Sequence, residues 1–411
     1  MRVPHPADWA GFAGLLAMAG LPLYIHAPKF YADSFGISLA TLGTVLFGLR
    51  LIDLVQDPAL GWLARVTAAW RGSMVAGAAA LLAGAMLGLF AVAPPVDPIL
   101  WFALMLTVLF SAFSFLTIVF YAQGIARAAQ MGEGGHLKLA AWREGGALLG
   151  VCTAAAAPTL LALGPNPPYE SFAILFTAFA LFATRRMHGA WGGAPVASAP
   201  LADFALVLRD RASLRLLLLA LVNAAPVAVS STLFLFYVES RLEAPGWEGP
   251  LLIGFFLSAA LAAPLWSRLA QRHGTRRMLM AGMSLAILAF GFAATLGPGD
   301  VALFALVCIA SGAALGADLT LLPALFARRM ASVAPEGTAG FALWSFAGKF
   351  ALALAAITVL PFLQSQGFTG PASPEPALIA LGLTYALVPC ALKLVAIALL
   401  ATAPESEPAH A

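Results

Sequence analysis

Apolar runs of about twenty residues follow one another along the whole chain, separated by short stretches of proline, glycine and charge. A run of that length crosses the hydrocarbon of a bilayer as a helix, and the backbone there must satisfy its own hydrogen bonds. Composition closes off the soluble alternative. Only 10% of residues are charged and 61% are hydrophobic, whereas a soluble domain carries about 25% charged residues on its surface and ends. Twelve runs are predicted as spans, over 9–26, 38–64, 73–93, 98–125, 137–163, 169–184, 214–240, 250–270, 276–296, 300–326, 339–364 and 376–402. The expected fold is therefore an all-α membrane protein of twelve transmembrane helices in two six-helix bundles.

The longest polar interval divides the runs six and six. It predicts an N-terminal bundle over 1–184, a cytoplasmic central loop over 185–213, and a C-terminal bundle with a short cytoplasmic tail over 214–411. The loop opens on the flexible "GGAPVASAP" and continues into "LADFALVLRDRASLR", which suits an amphipathic helix on the membrane surface. Basic residues such as Arg65, Arg71, Arg185, Arg186, Arg276, Arg277, Arg328 and Arg329 gather at alternate ends of the runs. By the positive-inside rule both termini face the cytoplasm, in a bacterial-type inner membrane. The first run lacks a small-residue cleavage site and reads as a span, not a signal peptide.

Several function classes fall away. The net charge of +3 sits mostly in loops between spans, so no nucleic-acid partner is expected. Cys152, Cys308 and Cys390 lie apart in apolar context and read as packing residues. No Gly-x-Gly-Asp protease pair, histidine-rich metal cluster or nucleotide loop falls within any span, so neither enzyme chemistry nor a cofactor is expected. The expected partners are a small-molecule substrate and membrane lipid, with one copy of the chain acting alone.

Charges inside the spans carry the functional signal. Arg50, Asp53 and Asp57 stand at i, i+3 and i+7 in "RLIDLVQDPALGW", on one face of the second span. Each charge costs about 2.5–3.5 kcal/mol at the bilayer centre on the insertion scale, so these side chains must pair, face the interior or line water. Two carboxylates on adjacent turns offer the hard oxygens that H⁺ or Na⁺ needs. Pro58 beside them frees a backbone carbonyl. The same pattern also fits a structural network between helices. Further ionisable or polar groups lie within spans at Arg143, Glu144, Asn223, Asp318, Lys349 and Lys393, of which Lys393 is expected to snorkel.

The loop "APLWSRLAQRHGTRRM" resembles the G-x-x-x-D-R-x-G-R-[RK] loop of the major facilitator superfamily, with Gln271 where the acid usually stands. Within it, "LRLIDLVQDPALGW" is similar to the A-R-[IL]-x-D-A-x-[ND]-D-P-x-x-G segment of the glycoside–pentoside–hexuronide cation symporters, typified by the melibiose permease. That resemblance implies the major facilitator fold and cation-coupled symport by alternating access, with a sugar or glycoside as substrate. It implies a cation site of Asp53, Asp57, Gln56 and Ser114, the only candidate metal site being Na⁺ at the two aspartates. It implies coupling through Lys349, in "ALWSFAGKFALALAA", and Arg50.

The substrate side is expected at Arg143, Tyr121, Thr117, Asn223, Asp318 and Trp344. Ala17 and Thr117 stand where sugar-binding acids belong, while Arg143 remains. A pocket without those acids suits an anionic or amphipathic solute, such as a lysolipid, better than a neutral disaccharide. A proton-coupled exporter and a membrane partner protein without transport are the other readings.

Overall fold

The computed structural model describes residues 5–131, 135–192, 201–333 and 338–402. The flexible piece expected in the central loop lies almost wholly outside the described residues, as does the tail after Thr402. The chain forms two compact units, Met1–Ser198 with Glu248–Ile253, and Ala199–Trp247 with Gly254–Ala411.

Among its described residues the first unit holds seven α-helices: α1 (Pro6–Met18), α2 (Leu21–Phe35), α3 (Leu39–Val66), α4 (Arg71–Phe90), α5 (Pro98–Gln130), α6 (Gly135–Leu161) and α7 (Pro168–Arg186). The first predicted span is thus two helices. The chain interrupts at Ala19–Gly20 and restarts with Pro22 in the first turn of α2, where its missing N–H costs nothing. Helix α2 ends on Gly36, whose φ of 64° suits the left-handed cap that glycine adopts without strain. Helix α3 starts where the Ser38 side chain accepts from the Thr41 N–H at 3.1 Å.

A 45° bend separates Leu39–Asp53 from Gln56–Val66. Its cause is Pro58, which lacks the N–H for residue 54 and crowds that carbonyl with its ring. The bend puts Asp53 at the end of one straight segment and Gln56 and Asp57 at the start of the next.

Helix α1 packs on α6 at close range because both carry glycine at the crossing. A Cβ on Gly146 or Gly150 would run into the backbone of Ala10 or Gly14. Helix α4 packs between α5 and α7, and α3 packs on α5.

The second unit is built from α8 (Leu201–Arg209), α9 (Arg211–Phe236), α10 (Glu248–His273), α11 (Thr275–Ala293), α12 (Val301–Val333), α13 (Thr338–Ser365) and α14 (Glu375–Ala401). The first residues of α10 cluster with the other unit. Asp210 caps α9, accepting from the Ser213 N–H at 2.8 Å, and Arg329 of α12 donates to the same carboxylate at 2.5 and 3.0 Å. These hydrogen bonds, that from Arg329 foremost, hold the Asp210 carboxyl well below the usual carboxylate range. Helix α9 packs on α13 and α14, and α11 on α12 and α14. Leu279, Met283, Leu321 and Leu322 fill the space between α11 and α12.

Among the described residues, ten helices are long and apolar enough to cross a membrane, or eleven if bent α3 counts as one span. The chain is an all-α integral membrane protein. Of the twelve predicted spans, 38–64 falls on that bent helix and 169–184 on α7, which is not among the ten.

Candidate functional site

Arg50 is a buried charge of the first unit held between two rings. Its guanidinium lies over the Tyr24 ring of α2 at 4.5 Å and the Phe110 ring of α5 at 4.2 Å. It also pairs with Asp53 one turn along α3. Both side chains are buried, at 5% and 3% exposure. A planar guanidinium suits this slot, since its faces stack on the rings while its edge donates to the carboxylate. Arg50 therefore neutralises Asp53 locally. Asp57, beyond the bend, is half-buried, and Ser114 is buried on α5. The Gln56 amide nitrogen is buried with no hydrogen-bond partner among the described residues. Lys349 sits half-buried on α13, in the other unit.

A second cluster of the first unit forms where α6 meets α5 and α1. The Arg143 guanidinium lies over the Tyr121 ring at 4.5 Å. Thr117, Tyr121 and Gly124 stand at i, i+4 and i+7, on one face of α5. Gly124 leaves the space that Arg143 uses: a Cβ there would be 3.2 Å from an Arg143 Nη and 3.5 Å from the Trp9 ring. Three polar atoms of this cluster are buried with no hydrogen-bond partner among the described residues: Arg143 Nε, Trp9 Nε1 and Thr117 Oγ1. Guanidinium and indole nitrogens only donate, and a hydroxyl can do so. No carboxylate pairs with Arg143 among the described residues, and Glu144, beside it in sequence, is exposed. Chemically the cluster is a set of donors lacking an acceptor.

Asn223 and Asp318, both expected near substrate, meet in the second unit on a residue expected to snorkel. Lys393 is buried at 2% exposure, and its ammonium donates to Asp318 Oδ2 at 2.5 Å and Asn223 Oδ1 at 2.7 Å. Trp344 packs its ring on Phe326 at 4.9 Å within the core of the same unit.

Sequence reasoning missed Trp9 and Lys393. Trp9 looks like any aromatic at the start of an apolar run. The lone lysine in "VPCALKLVAI" was the available signal for Lys393, discounted because long side chains reach water near helix ends.

A profile of the family described as "MFS/sugar transport protein" matches residues 9–405. A search of curated proteins finds no match by sequence. Among solved structures, the nucleoside transporter NupG is similar with a TM-score of 0.74 at 14% identity, over 96% of this chain and 98% of that one. A bacterial homologue of the human lysosomal transporter Spinster, in its inward-facing and unoccupied conformation, gives 0.65 at 13% identity, over 98% of both chains.

Identities this low carry the fold and nothing finer. They correct the resemblance to glycoside–pentoside–hexuronide cation symporters: the solved transporters that the whole chain resembles are a nucleoside carrier and a Spinster homologue. The physical reason for the misreading is the length of the motif that carried it. Arg50, Asp53 and Pro58 make a self-contained ion pair and kink, which a short segment can hold whatever the rest of the chain binds. The chain belongs to the MFS/sugar transport protein family, and it is a secondary transporter of the major facilitator superfamily that moves a small solute by alternating access.

Proposed function

We propose that this transporter carries an amphipathic solute with an anionic head group, and that Arg143 holds that group. The observation that supports this reading is the donor set around Arg143. The guanidinium has a buried Nε without an acceptor, and the Trp9 indole N–H and the Thr117 hydroxyl, on the helices packed against α6, are likewise buried without one. A phosphate or carboxylate oxygen accepts from donors of each of these kinds, and charge-assisted bonds of this kind are about twice as strong as neutral ones. The Tyr121 ring, which backs the guanidinium and is 47% exposed, offers an apolar face to the rest of such a solute. A neutral polyol would need acceptors as well, whereas the buried groups here are donors and the neighbouring Glu144 is exposed.

The test is thermal unfolding of the purified full-length protein with a short-chain lysophosphatidic acid below its micelle concentration, against a neutral disaccharide. A ligand at about 100 times its Kd stabilises the folded state by about 2.7 kcal/mol. The lysolipid should raise the melting temperature in the parent and not in Arg143→Ala. Stabilisation by the disaccharide that survives Arg143→Ala would overturn the reading.

Transport against a gradient requires a coupled ion, and H⁺ or Na⁺ is proposed. Asp53, Asp57, Gln56 and Ser114 are its proposed ligands, with Arg50 and Lys349 balancing their charge. On this reading Asp57→Asn abolishes cation-driven accumulation in proteoliposomes while exchange without a gradient persists. Uphill accumulation undiminished by Asp57→Asn would refute it. We further propose twelve spans, with α3 and α7 included, in bundles over 1–184 and 214–411. The segment 185–213 and both termini face the cytoplasm, as the basic residues favour.

A further inference from the structure

The Asp318–Lys393–Asn223 cluster takes no part in the head-group site or in the proposed cation site on α3. Its members come from three helices, α12, α14 and α9, and each is at least nine-tenths buried. A lysine ammonium has three N–H groups. Two of them go to Asp318 Oδ2 and Asn223 Oδ1. Asp318 Oδ1 is buried and accepts from no group among the described residues. Well-packed apolar side chains would serve stability as well as or better than such an ion pair, and a half-satisfied buried network costs stability. The pair therefore calls for a use other than holding helices together.

We infer that Asp318 is a proton-carrying residue of the second unit, its proton entering at Oδ1 and leaving Lys393 as an uncompensated cation. The step balances simply. A hydronium ion gives its proton to Oδ1: one O–H bond of the hydronium breaks, one O–H bond forms on the carboxyl, neutral water leaves, and the cluster passes from neutral to a charge of one positive. In a low-dielectric interior that charge is costly until an anion arrives. Proton uptake and anion uptake are then each unfavourable alone and favourable together, which is the thermodynamic content of coupling. This last link rests on the reading of the solute as an anion. The proton site itself does not.

The neighbourhood offers Asp318 little else to exchange protons or charge with. Helix α11 presents Leu279 and Met283, and α10 presents Ala259 against Gly316 and the Trp266 indole, which donates to the Ala313 carbonyl at 2.8 Å. On α14 the Cys390 thiol, one turn from Lys393, contacts the Ile287 carbonyl at 3.4 Å. Arg215 of α9 and Arg329 of α12 stand about two turns or more along their helices from the cluster, and Arg276 and Arg277 of α11 stand about one and a half turns from Gly282, which meets Ala317. Asp203 and Arg209 belong to α8, whose Val207 packs on Phe326 and Met330, about two turns or more from Asp318. Lys349 is on α13, which packs on α9.

The experiment is infrared difference spectroscopy of the reconstituted full-length protein, passing from alkaline to acid buffer. It reads the carbonyl stretch of protonated buried carboxyls. The parent should show a band that Asp318→Asn removes and that Asp53→Asn/Asp57→Asn retains. If Asp318→Asn fails to fold, Asp318→Glu keeps the acid and should move the band in frequency. Lys393→Ala removes the ammonium that donates to Asp318 and should move the band in frequency. No acid band in the parent, or a band unchanged in Asp318→Asn, overturns the inference. Adding short-chain lysophosphatidic acid should strengthen the parent's band at a fixed buffer pH. A band that responds to Asp318 and Lys393 but not to this probe sinks the anionic-solute reading and leaves the proton site standing.

Discussion

Replacing Arg50 by methionine tests whether the charge cluster of α3 is closed on itself. Asp53 is 3% exposed, so the substitution leaves a buried carboxylate without its cation. Breaking a buried pair from one side costs about 3–5 kcal/mol. The guanidinium also sits over two rings, at 4.5 and 4.2 Å. Each cation–π contact adds about 0.5–2 kcal/mol, part of which methionine regains through its sulfur. A total near 5 kcal/mol is about 10–20 °C in melting temperature for a folding unit of about 200 residues.

The second arm removes both charges. In Arg50→Met/Asp53→Leu no buried carboxylate remains unpaired, so most of the loss should return. Thermal unfolding of purified full-length protein in detergent reads both arms. Together with Asp53→Leu they complete a double-mutant cycle with an expected coupling of about 3 kcal/mol. Arg50→Lys should fall between, because an ammonium keeps the charge but loses the planar stacking. A single variant within about 2 °C of the parent, or a double variant no more stable than the single, would refute the reasoning.

Three further outcomes follow from the same structure. Asp210→Ala removes a helix cap and the partner of Arg329, and should cost about 1 kcal/mol or somewhat more. Because its folded-state carboxyl is held low, that contribution is present above the unfolded value of about 3.9 and fades as pH falls below it, so the variant and parent should converge in strong acid; a difference unchanged by acid would count against the ion pair. Gly146→Ala drives a methyl into the Ala10 backbone and should destabilise by about 1–3 kcal/mol, whereas Gly145→Ala meets open space and should be neutral or stabilising. Equal effects at the two positions would show that α1 and α6 do not pack as described. A cysteine at exposed Pro298 should be labelled from outside intact cells and one at Ala197 should not, in a background with Cys152, Cys308 and Cys390 replaced; labelling at Ala197 would invert the topology.

The membrane class and the helices were legible in the residues themselves. A 20-residue apolar run has one stable answer in lipid, because only a helix pairs its own backbone there. Positions of the ionisable groups were equally plain, since a charge among leucines and alanines stands out, and Pro58 marked the place where α3 bends. What each charge does was not legible. A spanning helix is apolar both toward lipid and toward its neighbours, so periodicity gives little sign of which face is inside. Whether Arg50 leans to water or stacks between Tyr24 and Phe110 depends on helices 26 residues before it and 60 after it. Lys393 stood out as a lone lysine among apolar residues, but its burial was decided only when α9 and α12 brought Asn223 and Asp318 to it. The break at Gly20 was lost in an unbroken apolar run, and Trp9 gained its meaning from Gly124 and Arg143 on other helices. Chemistry of the bilayer is a local constraint that a sequence carries in full; pairing of buried charges is a choice among distant partners, and only the packed helices make it.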